Sequence, residues 1–314
     1  MLSEIRRIFG PTFPKSQKGE SLTQDEQRAL NVGAILAGTR SEVCDCLATA
    51  KTSNIRKKLL NDWWGVTSPE TAVETLERLK NQGHRERFGI ILNNASEILD
   101  KIAKNELIRQ DFIQIYQRAE LGLIDERISE NYPREVELFD KHFHILDEYY
   151  NEPEEEKRRQ LFEQHISLFD DGETFSNCMG IYCTIIGKYE EFTTHTYNLL
   201  KNLEEIHKQG LIAACEDLER INPAAWDMGR MVNVGRWCYD CRYISKEQAW
   251  DYIFSAHKEC ALLYADWEEF GKAYVIGRAL WNADGMLDVH IDMYKKLLID
   301  PKSPWRLVTL KNNV

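Results

Sequence analysis

Apolar residues recur three or four positions apart along most of this 314-residue chain, which is the spacing of an amphipathic α-helix. Only 17 Gly and 8 Pro interrupt the pattern, and the abundant Leu, Glu, Lys, Arg and Ala favour helix. No series of strand-like segments alternates with the helical ones, which argues against a doubly wound sheet. The sequence therefore predicts an all-α fold, a compact multi-helix domain.

Composition and charge indicate the expected localisation of the protein and its expected binding partners. Hydrophobic residues make up 43% and charged residues 29%, which is ordinary for a globular protein. The formal net charge of -11 makes nucleic acid an unexpected main partner, because binding phosphates needs clustered Lys and Arg. No run of about 18 uncharged apolar residues is present, so we expect no membrane span. Eight cysteines without a signal peptide fit a reducing compartment, and we expect a cytoplasmic protein.

Several helix boundaries can be predicted from local chemistry in the first part of the chain. Thr23 and Glu26 have the spacing of a capping box. Gly65 can end a helix in the left-handed conformation, and Ser68 with the following proline fits the start of the next one. Between these signals, apolar spacing predicts a further helix over residues 42–49.

The stretch from Ala224 to Trp281 has the most specific local pattern of the chain, with five of the eight tryptophans. Asn222-Pro223 fits a helix start, and Ser245 with Gln248 and Asp266 with Glu269 have the spacing of capping boxes. We therefore expect three helices here. Three glycines within them are expected to allow the close approach of a helix or a ligand, namely Gly235, Gly271 and Gly277.

Polar residues among these tryptophans form a candidate site. Arg230 and Trp237 lie four and eleven positions after Trp226 and share one helix face with it, and Asp227 can pair with Arg230. One interpretation is a pocket that binds a phosphate, a carboxylate or a base, with an acidic residue as general base. The other is a sealed ion-pair network that fixes the helix packing. The candidate residues are Trp226, Asp227, Arg230, Arg236, Trp237, Trp267, Glu269, Tyr274, Arg278 and Trp281.

Two blocks of the chain, residues 55–90 and 222–285, carry motifs of Trp, Gly and Arg. The motifs include Trp64-Gly65-Val66, Gly83-His84, Trp226-Asp227 with Arg230, Arg236-Trp237, Trp267-Glu268-Glu269-Phe270, and Gly277-Arg278 with Trp281. In these motifs the chain resembles the bacterial domain-of-unknown-function 1266 family, and the C-terminal block is the more specific one. The resemblance implies a bacterial, helical, cytosolic protein and brings no settled activity with it.

The residues between the two blocks suggest the domain organisation. This segment, residues 91–221, is longer than the family leads us to expect, and Arg242 stands where a small residue is usual. Residues 1–20 contain Pro11, Pro14 and Gly19 and little apolar periodicity. We therefore expect a loose N-terminal arm over residues 1–20 and a single helical domain over residues 21–314, with residues 91–221 as a helical insertion.

Two further motifs are expected to be structural. Cys238 and Cys241 form C-x-x-C late in a helix, whereas a redox pair lies at a helix N-terminus after a strand. Glu204-x-x-His207 resembles half of a di-iron site, but no second histidine has Glu three positions before it. We expect neither a metal nor a cofactor.

These observations favour a helical module that binds a ligand or a partner protein through a groove lined by Trp and Arg. The alternative is an enzyme of unfamiliar type that acts on a phosphorylated or nucleotide-like ligand, with Asp227, Arg230 and Arg278 in its site. The enzyme hypothesis requires that these three side chains converge on a solvent-accessible cavity.

Overall fold

The computed structural model describes residues 13–16, 21–119 and 123–311. Every regular element in these ranges is a helix, which confirms the predicted all-α class. No helix within the same ranges has both the length and the apolar character needed to cross a bilayer. The predicted loose arm over residues 1–20 lies outside the described residues, except for residues 13–16.

Most consecutive helices are joined by short connections, and longer ones precede α3 and α12. Two 3₁₀ segments, Ile166–Phe169 and Cys215–Arg220, also occur. The α-helices are α1 (Gln24–Asn31), α2 (Ala34–Thr39), α3 (Ser53–Trp64), α4 (Pro69–Asn81), α5 (Arg85–Asn93), α6 (Ala95–Ala103), α7 (Arg109–Arg118), α8 (Glu126–Asn131), α9 (Pro133–Asn151), α10 (Glu155–His165), α11 (Gly172–Lys208), α12 (Ala224–Asp240), α13 (Lys246–Leu263), α14 (Trp267–Trp281), α15 (Leu287–Ile299) and α16 (Pro304–Leu307).

The chain divides into two compact units. The first contains the described residues up to Leu99 and those from His195 onward, and the second is Asp100–Thr194. The second unit lies within the segment predicted as an insertion, while the single domain over residues 21–314 stays a prediction. The second unit has 22 acidic and 11 basic residues in its sequence, so it accounts for the whole net charge of -11. The first unit is therefore electrically balanced.

The second unit has an aromatic core of its own. Phe175 packs against the rings of Phe162 and Phe169 at centroid distances of 5.0 Å. Nearby in sequence, the Tyr182 hydroxyl donates to Asp147, which also pairs with Arg109. These contacts join residues of the second unit to one another and stabilise its fold.

Helix α12 is the centre of the first unit. It packs against α2, α3, α4, α13 and α14, and every residue from Ala224 to Cys238 is buried. A helix that is apolar on nearly all faces must be covered on all sides to be stable in water. The Trp-rich stretch predicted from the sequence is therefore the structural core of this unit.

Two of the three glycines predicted to allow a close approach do so. A Cβ on Gly277 of α14 would lie 2.4 Å from the Trp226 Cβ of α12, and one on Gly271 would lie 2.4 Å from the Tyr294 ring. The prediction for Gly235 is wrong, because the nearest atom to its Cβ would be a Leu76 carbon at 3.9 Å, an ordinary contact. Glycine is therefore needed for close packing at Gly271 and Gly277 of α14, but not at Gly235 of α12.

The predicted helix starts agree with the structure. Thr23 with Glu26, and Ser245 with Gln248, form reciprocal capping boxes. Asp266 caps α14 but is only half of a capping box, because the Glu269 carboxylate accepts from the backbone of Ala265 instead. Local side-chain chemistry is therefore sufficient to place these helix starts.

The helix predicted over residues 42–49 is wrong, since these residues form an irregular loop. Three of their carbonyls accept hydrogen bonds from a side chain that is distant in the sequence. The buried Arg236 donates from Nε to the Leu47 carbonyl at 3.0 Å, and from Nη2 to the carbonyls of Val43 at 2.5 Å and Cys46 at 3.2 Å. Because buried carbonyls need a donor of some kind, an arginine on α12 replaces the helical hydrogen bonds.

Candidate functional site

A cavity of about 740 Å³ lies in the first unit, lined by residues of α2 to α5, α12, α14 and α15. We name it the Trp/Arg cavity after the two residue types that dominate its wall. The tryptophans are Trp63, Trp64, Trp226, Trp237 and Trp281, and the arginines are Arg40, Arg78, Arg87, Arg230 and Arg278. Asp284 is the one carboxylate among the described lining residues, so the lining side chains have four more positive than negative charges. The buried Asp227, which does not line the cavity, pairs with one of these cations, Arg230.

The ten residues predicted as a candidate site divide into two groups of five. Those that line the Trp/Arg cavity are Trp226, Arg230, Trp237, Arg278 and Trp281. Those that do not are Asp227, Arg236, Trp267, Glu269 and Tyr274. The structure therefore places half of the predicted residues on the wall of one cavity, and the other half do not line it.

The guanidinium of Arg230 is held among three indole rings. Its Cζ atom lies 4.6 Å from the ring centroid of Trp226, 5.4 Å from that of Trp64 and 5.5 Å from that of Trp281. The negative faces of the rings attract the cation and fix its position, and the buried Asp227 is its counterion. The three indole rings thus hold the Arg230 guanidinium at the wall of the cavity.

The hydrogen bonds of Arg230 use only part of its donor set. Nε donates to the Trp226 carbonyl at 3.2 Å, and Nη2 donates to Asp227 and to the His84 ring. Within the described part of the chain, no hydrogen bond uses Nη1. Because Arg230 lines the Trp/Arg cavity, the two N–H groups of Nη1 are the donors that a ligand there would meet.

Asp227 connects this cavity wall to the start of α5. Its Oδ2 accepts from the backbone N–H groups of His84 at 2.7 Å and Arg85 at 2.9 Å, and its Oδ1 pairs with Arg230. Burial alone would raise the pKa of Asp227, but the hydrogen bonds from His84 and the charge of Arg230 outweigh burial and lower it. Asp227 is therefore an ionised helix cap and is not free to act as a base.

His84 is held as a neutral ring. Its Nδ1 lies 2.9 Å from Arg230 Nη2, and since arginine can only donate, Nδ1 accepts and the ring proton is on Nε2. Burial lowers the pKa of His84, the nearby Asp227 carboxylate opposes this because it favours the protonated ring, and the charge of Arg230 lowers the pKa further. The His84 ring meets the Trp281 ring edge-on at 4.7 Å.

Arg278 fixes the loop that follows α14. Its Nη1 donates to the Asn282 carbonyl at 3.1 Å, and its Nη2 donates to Asp284 Oδ1 at 2.6 Å. Asp284 in turn accepts from the Met286 backbone N–H at 3.1 Å. Arg278 therefore acts as a positioning residue for this part of the wall, and Asp284 neutralises part of its charge.

The predicted site residues outside the cavity have structural contacts. The Trp267 ring stacks on the Trp305 ring at 5.1 Å, and its Nε1 donates to the Val308 carbonyl at 2.8 Å. Glu269 belongs to the N-terminal turn of α14. Tyr274 is fully buried against Trp226, and the described residues offer its hydroxyl no hydrogen-bond partner. These contacts keep α14 in place behind the wall.

A buried ionic network beside the cavity has no signal in the sequence. Arg56 pairs with Glu42 at 2.8 Å and lies 3.8 Å from Asp240, while the Trp237 Nε1 donates to Glu42 at 3.1 Å. Glu42, Arg56 and Asp240 are far apart in the chain, and no spacing rule connects them. The network anchors the irregular loop of residues 42–49 against α3 and α12.

The C-x-x-C pair is buried in protein and is not poised for chemistry. Burial raises the pKa of Cys238 to about 12 and that of Cys241 to about 11. Both side chains are therefore thiols at neutral pH and poor nucleophiles. Within the described residues, no three His, Cys, Asp or Glu side chains are grouped as a metal site would need.

His290 lines the same cavity from α15 and is also neutral. Its Nδ1 donates to the Met286 carbonyl at 3.0 Å, which leaves Nε2 without a proton. Burial lowers the pKa of His290 to about 4, and the charge of Arg278 contributes in the same direction. Protonating this ring would add a cation to a wall that already has an excess of positive charge.

Acidification is expected to destabilise the protein through His290. The unfolded chain takes up a proton near the ordinary pKa of 6.5 and the folded chain only near 4. Stability therefore falls as the pH drops between these values, by about 2 kcal/mol at pH 5. The change His290→Asn keeps a donor near Nδ1 and removes the titration. Urea unfolding at pH 7 and pH 5 should show a smaller loss for this variant than for the wild type, and an equal loss would contradict the assignment.

Comparison with known proteins gives one family. The model of the family described as "Protein of unknown function (DUF1266)" matches residues 59–310, which confirms the resemblance inferred from the sequence. No curated protein and no solved structure matches the chain. The matched range contains most of the residues that line the Trp/Arg cavity, among them Arg78, Arg230 and Arg278.

Proposed function

Because the chain belongs to the DUF1266 family, which is described only as a protein of unknown function, we propose a function from the site itself: the protein binds a small phosphate-bearing ligand in the Trp/Arg cavity. The observation that carries the proposal is the excess of positive charge on its wall, in a unit whose total charge is balanced. A charged cleft with low-dielectric walls concentrates ligands of the opposite sign.

The type of cation supports a phosphate-bearing ligand. All cationic side chains with a fixed charge among the described lining residues are arginines, and none is a lysine. The planar guanidinium presents paired N–H groups that match the oxygens of a phosphate or carboxylate. Nη1 of Arg230 is one such group, held in place by the indole rings and by Asp227.

The size of the cavity supports a small molecule. Its volume of about 740 Å³ lies within the range of about 300–1,000 Å³ that small-molecule sites occupy. Binding is favoured over catalysis because Asp227, the candidate base, is occupied as the cap of α5 and does not line the cavity. The enzyme hypothesis needed this carboxylate beside Arg230 and Arg278 on the open surface.

Arg78 offers a direct test because it can be changed without disturbing the fold. It is exposed, it lines the Trp/Arg cavity, and it forms no ion pair with the described residues. Charge-assisted hydrogen bonds contribute about 1.5 kcal/mol or more each, which corresponds to about tenfold in affinity. We expect Arg78→Ala to weaken the binding of inorganic pyrophosphate about tenfold in isothermal titration calorimetry at constant ionic strength.

Arg306 provides the matched control. It is an exposed arginine on α16 that does not line the cavity, so Arg306→Ala should bind pyrophosphate like the wild type. Wild-type protein that binds no pyrophosphate would refute the proposed function. So would an equal loss of affinity in the two variants, because the loss would then reflect the total charge and not the site.

A further inference from the structure

Of the large hydrophobic side chains that the structure describes, Trp63 is the most exposed, with 77% of its surface accessible, and it lines the Trp/Arg cavity. It lies in the last turn of α3, which ends at Gly65 in the left-handed conformation with φ +65°. Among the described residues, no aromatic ring or cation packs on the Trp63 ring. The large flat apolar surface of the Trp63 ring is therefore exposed at the cavity, and most of it is not buried by folding.

Trp63 is not the only apolar side chain exposed at this place. Trp281 and Met286, which also line the cavity, are 41% and 39% exposed. Arg230 and Arg278 are in contrast only 6% and 5% exposed. The cavity therefore has an outer part, where apolar side chains lie alongside the exposed Arg78 and Arg87, and an inner part with the buried cations Arg230 and Arg278. This distribution fits a ligand with one flat apolar end and one anionic end.

The position of Trp281 is fixed by its neighbours. Its ring stacks near His195 at 6.0 Å and meets His84 edge-on at 4.7 Å. Since Trp281 also contacts the Arg230 guanidinium, it joins the apolar side chains of the outer part to the cationic inner part. A ligand that covers both parts would span this residue.

We propose that the ligand is a nucleotide, whose base stacks on Trp63 while its phosphates reach Arg230 and Arg278. This inference rests on the proposed function and extends it from phosphate-bearing ligands in general to one class. Polyphosphates have no flat apolar surface and would leave Trp63 uncovered. Base stacking on an aromatic side chain contributes to binding whichever base is present, because every base has a π-face.

The test compares a ligand that has a base with one that has only phosphates. Isothermal titration calorimetry should show that the wild type binds ADP at least about tenfold more tightly than inorganic pyrophosphate. Trp63→Ala should lose this advantage while its affinity for pyrophosphate stays unchanged. Trp63→Phe keeps a flat ring and should retain most of the advantage. Leu262→Ala, at a residue that is 76% exposed and does not line the cavity, should behave like the wild type.

The outcomes separate this inference from the proposed function. If pyrophosphate binds but ADP binds no more tightly, or if Trp63→Ala keeps the full advantage of ADP, the nucleotide assignment is overturned and the phosphate site stands. If neither ligand binds, both the site and the nucleotide assignment are refuted.

Discussion

Replacing Arg236 with methionine is expected to lower the free energy of unfolding by about 3 to 5 kcal/mol. The side chain is almost completely buried and donates to three carbonyls of the loop at residues 42–49. Methionine fills a similar volume but has no donor, so Val43, Cys46 and Leu47 would keep buried carbonyls without partners. Removing the cation would also leave the acidic side chains of the adjacent network with less compensation.

Arg306→Met provides the comparison for this change. It makes the same chemical replacement at an exposed arginine on α16, where we expect a change within about 0.5 kcal/mol. Urea unfolding followed by circular dichroism measures both variants. Hydrogen exchange should in addition show faster exchange in residues 42–49 of Arg236→Met. An effect on stability no larger than that of Arg306→Met would contradict the role assigned to Arg236.

The sequence predicts those parts of the fold that depend on neighbouring residues. The helix starts at Thr23 and Ser245 need only a capping side chain and a partner three positions later, and both are present. The predicted pairing of Asp227 with Arg230 is likewise local, and the ion pair is found. Interactions within one helical turn depend only on residues three or four positions apart, which is why spacing rules describe them.

The parts that the sequence does not predict depend on contacts between distant residues. Residues 42–49 have the apolar spacing of a helix, but Arg236 on α12 supplies the hydrogen bonds that a helix would have made. Gly235 has the same local setting as Gly277, yet only Gly277 faces another helix closely. Tertiary contacts override local preference in both cases.

The Trp/Arg cavity shows the same limit. Its wall on α12 and α14 consists of residues that the Trp-rich stretch singled out, such as Arg230 and Trp281. The wall on α3 and α4 adds Trp63 and Arg78, which no spacing rule relates to the other helices. Trp64 and Gly83-His84 belong to the motifs that resemble the family, and this resemblance is the one sequence signal that connects the first part of the chain to the Trp-rich stretch.

Gly83→Ala is expected to destabilise the protein by about 3 to 5 kcal/mol, because it disrupts the contact between the start of α5 and the cavity wall. Gly83 has φ +59°, and a Cβ on it would lie 2.1 Å from Asp227 Oδ2. Asp227 would have to leave the backbone N–H groups of His84 and Arg85, and Arg230 would lose its buried counterion. A buried charge without its partner is the largest part of the expected loss.

Gly65→Ala separates the effect of this clash from the effect of the backbone conformation. Gly65 has nearly the same φ, +65°, but a Cβ on it would meet nothing within 4 Å. Alanine there should cost only the left-handed conformation, about 1 to 2 kcal/mol. Urea unfolding of both variants gives the difference, and hydrogen exchange at His84 and Arg85 should increase in Gly83→Ala alone. Equal losses in the two variants would show that Asp227 is not what requires glycine at position 83.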